Sequence, residues 1–104
     1  MSNSIFEIQA EFCKVMGNAT RLQIIHALRE RPMNVGEIAQ STGFGQTVVS
    51  RQLSALRGAG IVQSQRQGNE NIYKLTDETI VEVCDLVRKV LATHIRKDSE
   101  ALQI

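Results

Sequence analysis

Five polar side chains recur on one side of a segment near the middle of the chain. The segment is "GFGQTVVSRQLSALRGAG", residues 43–60, and the side chains are Gln46, Thr47, Ser50, Arg51 and Ser54. At helical spacing they lie opposite the apolar residues Val49, Leu53 and Leu56. A solvated helix face more usually carries charged pairs, so short hydrogen-bonding groups favour close approach to a polar partner. Glutamine and arginine can pair with base edges, and hydroxyl groups suit phosphates.

The thiols and imidazoles form a second set of reactive groups. Cys13 and Cys84 are the only two cysteines, which is too few for a secreted disulfide framework, so we expect free thiols. We interpret His26 as a hydrogen-bonded core residue or a thiol partner, the former being favoured, and His94 as an interface residue. No histidine lies in a nucleophile motif, and "GFG" is a turn signal rather than a phosphate loop. We therefore expect no enzymatic activity.

Four helices are predicted ahead of and around the polar segment. Apolar residues recur at three and four positions, Asn18 is a candidate N-cap, and Asn34 with Glu37 has the spacing of a capping box. Pro32 and Gly43 are stop signals. The last two helices flank a glycine-containing turn, as in a helix-turn-helix. The predicted helices span about 5–16, 19–30, 35–42 and 46–58.

A β-hairpin and a final helix follow. Alternating residues predict a hairpin at about 61–75, with Gly68 and Asn69 at its turn. Thr76 is the predicted cap of a helix at about 77–96. Its heptad-like spacing predicts an apolar seam that, with a similar seam on the first helix, would be buried in a homodimer. The seam residues are Ile80, Cys84, Val87, Leu91 and His94.

Composition describes one ordinary globular domain. The 104 residues are 42% hydrophobic, with a net charge of +1, and we treat 1–104 as one domain. Residues 46–75 are locally basic, with one anion, Glu70, against four cations. No leader and no membrane-length apolar run is present in the sequence, so we expect a cytoplasmic protein without a membrane partner.

Three segments together resemble a known family. They are "NATRLQIIHAL", "VGEIAQSTGFGQTVVSRQLSALRGAGIV" and the wing pattern "RQGNENIYKL". Over residues 10–95 the chain is similar to the ArsR/SmtB family of bacterial winged-helix repressors. The resemblance implies a mostly α fold with a small β-hairpin, a winged helix-turn-helix that dimerises through its N- and C-terminal helices.

The resemblance also implies how double-stranded DNA would be bound. Each fourth helix would lie in the major groove of one half-site of an inverted-repeat operator, and the wings would reach the flanking backbone or minor groove. Half-site centres about 10 base pairs apart, or a multiple of that, suit a two-fold dimer. Gln46, Thr47, Ser50 and Arg51 match the family's DNA-reading positions; Ser54 shares their face, and Arg66 and Asn69 are wing candidates.

The family's usual effector sites are incomplete here. The arsenic-type C-x-C is absent, since residues 35–38 read "VGEI". Of the zinc-type positions Asp77, Thr79, Val90 and Thr93, only the carboxylate remains, and zinc needs four donors. We therefore expect no metal and no cofactor.

Cys13 and Cys84 remain as a candidate thiol effector site. They are core residues, a dithiol or polysulfide switch, or ligands for a thiophilic metal. Joining them would need α-carbons within about 7 Å, whereas free cysteine is also commonly buried as a small hydrophobe. Dithiol sensors of the family use the second and fifth helices, and the second-helix position here corresponds to His26, so that pattern is not reproduced.

Three functions follow from these observations. The leading one is a DNA-binding transcriptional repressor of the ArsR type, with release by thiol or sulfide oxidation at the two cysteines. The alternative is a winged-helix DNA-binding regulator with no metal or thiol effector. A protein-binding winged helix is disfavoured by Arg51 and the basic region at 46–75.

Overall fold

The computed structural model describes residues 4–95, which form five helices and one antiparallel hairpin. This is the predicted fold class, mostly α with a small hairpin that lies between the fourth and fifth helices. The elements are α1 Ile5–Met16, α2 Ala19–Leu28, α3 Val35–Thr42, α4 Gln46–Gly58, β1 Val62–Gln67, β2 Glu70–Leu75 and α5 Thr79–Ile95.

Local capping chemistry explains where the central helices begin and end. Asn18 Oδ1 accepts a hydrogen bond from the Arg21 backbone N–H at 3.0 Å, which caps α2 as predicted. Asn34 and Glu37 form the predicted reciprocal capping box at α3. Gly43 ends α3 with φ of +83°, a left-handed conformation that glycine adopts without strain.

Two predicted helix ends were wrong. The helix α2 ends at Leu28 rather than residue 30, and a turn follows at 29 and 30. The helix α5 starts at Thr79 because Asp77 Oδ1 accepts from the Thr79 N–H at 2.8 Å. Thr76 instead donates its hydroxyl hydrogen to the Gly60 carbonyl oxygen at 2.7 Å, so it fastens the end of the hairpin to the end of α4. The predicted end of α5 at residue 96 lies outside the described residues.

The hairpin forms a wing that is anchored at one end. Its register runs from Val62 opposite Leu75 to Gln67 opposite Glu70, and Gly68 turns the chain with φ of +63°. Met33, just before α3, pairs with Tyr73 through two backbone hydrogen bonds of 3.0 and 2.8 Å. The wing is therefore joined to the helical body through β2.

The core lies where α2, α3, α4 and the start of the wing meet. Its largest fully buried side chains are Ile24, Ile25, Ile38, Val49, Leu53, Leu56, Ile61 and Val62. One prediction on α2 was wrong: His26 is exposed rather than in the core, and the inner positions are occupied by Ile24, Ile25 and Leu28.

The apolar side chains of α5 form two sets that differ in burial. Ile80 and Cys84 are buried against the core of their own protomer, so the predicted seam was wrong at these two positions. Five apolar side chains stay 45–60% exposed on what we call the α5 outer face: Val83, Leu86, Val87, Val90 and Leu91. Val87 and Leu91 of the predicted seam belong to this exposed set because only the first turns of α5 lie on the core.

Candidate nucleic-acid interface

The polar residues predicted on α4 form one continuous exposed surface. Gln46, Thr47, Ser50, Arg51 and Ser54 are all exposed, and at about 100° per residue they span an arc of about 140°. On the other side Val49, Leu53 and Leu56 are at most 1% exposed. Burial of that apolar side fixes the rotation of α4 about its axis, so the polar face has a defined direction. We call these five residues the α4 polar face.

The start of α4 is open to an anion. Its N-cap is Gly45, which has no side chain to accept from the first backbone N–H groups. Uncapped N–H groups and the positive end of the helix dipole together favour a phosphate at this position. Asn18 and Asn34 cap α2 and α3 with their side chains, so α4 differs from its neighbours at the end where the polar face begins.

One arginine of α2 links α4 to α1. Arg21 on α2 donates from Nε to Gln52 Oε1 on α4 at 2.8 Å and from Nη1 to the Val15 carbonyl oxygen on α1 at 3.1 Å. Gln52 is half-buried and its amide oxygen is used in this contact. It therefore helps to position the helix and is not part of the polar face.

The wing presents the other two predicted residues. Arg66 and Asn69 are exposed next to the turn, and Arg66 Nε donates to the Gly68 carbonyl oxygen at 3.1 Å. This bond holds the guanidinium group at the tip of the hairpin. The structure thus places a basic group at the end of the wing and a second one, Arg51, on α4.

Sequence reasoning left out one basic residue of this surface. Arg57 is exposed on α4 and follows Gln46 by eleven residues, about three helical turns, so it returns to the same side of the helix. That spacing was readable from the sequence, where Arg57 entered only the local charge balance. It extends the basic character of the α4 polar face toward the C-terminal end of the helix.

The two cysteines lie in different environments. Cys84 is buried, and burial raises the pKa of its thiol, which disfavours the reactive thiolate. It lines a small cavity between α2 and α5 together with His26 and Arg88. Cys13 is exposed on α1 and does not line this cavity. The structure thus holds two free thiols, one exposed and one buried.

A charged cluster beside Cys84 links α2 to α5. Asp85 accepts two hydrogen bonds from Arg29, at 3.0 and 3.1 Å, and a third from Arg88. The Arg29 hydrogen bond is the largest influence that lowers the pKa of the Asp85 carboxyl, and Arg88 adds to it. The same contact raises the pKa of Arg29. This cluster keeps the first half of α5 against the end of α2.

Residues 4–95 contain neither a cluster of metal-binding side chains nor a membrane-spanning helix. This part of the chain holds no group of three or more His, Cys, Asp or Glu side chains that could bind a metal ion. None of its helices combines the length and the hydropathy needed to cross a bilayer.

Known proteins resemble this chain in both sequence and fold. The family model described as "Bacterial regulatory protein, arsR family" matches residues 18–64. The uncharacterized HTH-type transcriptional regulator Rv0081 of Mycobacterium tuberculosis is 38% identical over 92 residues, which are 88% of this chain and 81% of that protein. The biofilm growth-associated repressor of Xylella fastidiosa is 37% identical over 85 residues, 82% of this chain and 75% of the repressor.

Two solved structures share the fold. The crystal structure of M. tuberculosis Rv0081 has a TM-score of 0.81 at 34% identity and covers 94% of this chain and 99% of its own. The solution structure of the homodimeric winged helix-turn-helix DNA-binding domain of Mb0332 from Mycobacterium bovis has a TM-score of 0.79 at 30% identity. It covers 89% of this chain and 86% of its own.

Proposed function

The chain belongs to the ArsR family of bacterial regulatory proteins, and from this premise we propose that it is a transcriptional repressor that binds an inverted-repeat operator as a homodimer. Its relatives are transcriptional regulators, and it is not an enzyme. The observation that carries the proposal is the exposed α4 polar face beside an anchored, basic wing. Such a protein would act in the cytoplasm, where it meets its operator.

The geometry supports different DNA contacts for α4 and for the wing. In the major groove, Gln46 can pair with adenine and Arg51 with guanine, while the hydroxyl groups of Thr47, Ser50 and Ser54 suit phosphates or bases. The open start of α4 suits one further phosphate. On the wing, Arg66 and Asn69 would contact the flanking backbone or minor groove.

Unpartnered apolar surface supports the homodimer. Besides the α5 outer face, α1 exposes Ile5, Phe6 and Ile8, with Phe6 at 76%. Soluble monomers rarely leave apolar stripes of this kind on two helices. The similar Mb0332 domain is homodimeric, which supports a homodimer here as well. Two α4 helices related by a two-fold axis would read two half-sites in opposite orientation.

Operator binding is the direct test. Fluorescence anisotropy would compare DNA from upstream of the protein's own gene with a scrambled duplex of the same length and composition, over a series of salt concentrations. We expect tighter binding to the upstream DNA, with an affinity that falls as salt rises because phosphate contacts release counterions. Equal affinity for both duplexes at every salt concentration would contradict sequence-specific repression.

We propose that any thiol-dependent release from DNA uses Cys13 and Cys84, since the chain has no other cysteine. Cys13 lies on α1 and Cys84 on α5, so a bond between them would join these two helices, within a protomer or across the dimer. Anisotropy with reduced protein, with diamide and with tetrasulfide, alongside Cys13→Ser and Cys84→Ser, tests this release. An operator affinity that is unchanged by every treatment favours the alternative, a regulator with no metal or thiol effector.

A further inference from the structure

One half-buried asparagine contacts both the helix-turn-helix and the wing. Asn34 Oδ1 accepts from the Glu37 N–H at 2.8 Å and so caps α3, the first helix of that motif. The Nδ2 group of the same side chain donates to Glu70 Oε1, on the first residue of β2. The two ends of a single amide therefore join the start of α3 to the strand that follows the wing turn.

The position of this bridge along the wing is important. The backbone pair between Met33 and Tyr73 fixes β2 three residues further along, near the body of the protein. Beyond that pair the hairpin continues as two strands, and an isolated two-stranded hairpin is marginally stable in water. The contact from Asn34 reaches Glu70, which is paired with Gln67 beside the turn. It restrains the hairpin closer to its tip than the backbone pair does.

We propose that Asn34 is a positioning residue that sets the wing tip at a fixed offset from the α4 polar face. The inference rests on the proposed DNA-binding function. Asn34 caps α3, and the short turn at Gly43 joins α3 to α4. The bridge therefore fixes the wing relative to the helix-turn-helix itself. Arg66 and Asn69 are then carried at a defined distance from Arg51.

The bridge also has an electrostatic role. Glu70 is the single anion of the basic region at 46–75, and an unrestrained carboxylate there would repel phosphates. The donor amide of Asn34 holds this carboxylate against the start of α3. The nearby Glu37 carboxylate is balanced by Arg31 at 3.2 Å, and its pKa is lowered first by the backbone N–H of Asn34 and then by that arginine.

Two variants separate the bridge from the cap. In Asn34→Ser the hydroxyl still caps α3, because serine and asparagine are similar N-caps, but the side chain is too short to hold Glu70. The double variant Asn34→Asp with Glu70→Gln exchanges donor and acceptor across the same contact. It leaves the net charge of the protein unchanged, so any recovery is not an effect of overall charge on DNA affinity.

Amide hydrogen exchange on the free protein gives the first result. In Asn34→Ser we expect exchange of the wing pairs on the tip side of the Met33–Tyr73 anchor, Gln65 with Ile72 and Gln67 with Glu70, to rise about 2- to 10-fold, the effect of one exposed hydrogen bond. Exchange at Ile38 in α3 should stay as in the wild type. The double variant Asn34→Asp with Glu70→Gln should restore the wild-type exchange rates. Unchanged rates in Asn34→Ser, or no recovery in the double variant, would overturn the proposal.

Hydroxyl-radical footprinting on the upstream DNA gives the second result. We expect Asn34→Ser to lose protection at the flanks of the site and to keep it at the half-site centres, with the flanks regained in the double variant. Uniform loss across the site would overturn a role specific to the wing. A wild-type protein that gives no footprint would refute the proposed function, and the exchange rates would still decide whether Asn34 holds the wing.

Discussion

The most exposed side chain of the α5 outer face gives a sharp test of dimer formation. Leu86 is 60% exposed in the protomer. Full burial of a leucine contributes about 1.5–3 kcal/mol, so burial of the remaining surface would contribute about 1–2 kcal/mol in each protomer. A two-fold interface contains two copies, or about 2–4 kcal/mol. Replacing Leu86 with Ala removes most of this and should raise the dimer dissociation constant about 30-fold to several hundred-fold.

Sedimentation velocity over a concentration series measures that constant, with circular dichroism as a check that the protomer stays folded. Lys89→Ala is the matched control, because Lys89 is exposed on the polar side of the same helix. We expect the control to dimerise like the wild type. A dissociation constant for Leu86→Ala within about threefold of the wild-type value would mean that the interface lies elsewhere, since such a ratio is under 1 kcal/mol.

Three further outcomes are expected. Arg51→Ala should weaken operator binding by about 1–3 kcal/mol if Arg51 contacts a guanine. Lys89→Ala removes the same charge and should weaken binding far less. Equal anisotropy curves for the two variants would show that Arg51 is not in the DNA interface. The pKa of Asp85 is lowered, so its stabilisation is present above the usual carboxyl range and is lost as pH falls through the lowered value. The difference in melting temperature between wild type and Asp85→Asn should therefore shrink from about pH 7 to about pH 3, and a constant difference would contradict the role of the ion pairs. At protein concentrations below the dimer dissociation constant, iodoacetamide should alkylate exposed Cys13 before buried Cys84. Equal alkylation rates in peptide mass mapping would contradict the burial of Cys84.

Most of the fold could be predicted from short-range signals in the sequence. Asn18, the capping box of Asn34 with Glu37, and Gly43 each act within four residues, and the structure has all of them in place. The apolar spacing of α4 likewise fixed which of its sides is buried, and with it the direction of the polar face. These features depend on the neighbouring chain, so they can be predicted without knowing the tertiary arrangement.

The predictions that were wrong depend on contacts between residues that are far apart in the sequence. Thr76 is an acceptable helix cap by type, but its hydroxyl bonds to Gly60, sixteen residues earlier, and Asp77 caps α5 instead. His26 belongs to a mostly apolar helix, and only the packing of that helix against α3 and α4 leaves it exposed. The contact between Asn34 and Glu70 spans thirty-six residues and has no local pattern.

The two faces of α5 constrain how any signal at Cys84 could reach DNA. Cys84 is buried against the core, whereas Leu86 and Val90 point away from it on the helix and are exposed, so a change at the thiol does not touch these two side chains directly. It would first displace α5 from α2, against the ion pairs of Asp85 with Arg29 and Arg88. Because α5 is one rigid helix, that displacement moves the outer face with it and alters the spacing of the two α4 helices in a dimer. Removing the ion pairs with Asp85→Asn should therefore loosen operator binding in the same direction as modification of Cys84, even when both cysteines are reduced. Operator affinity of the reduced variant equal to that of the wild type would show that α5 does not transmit a change from its inner face.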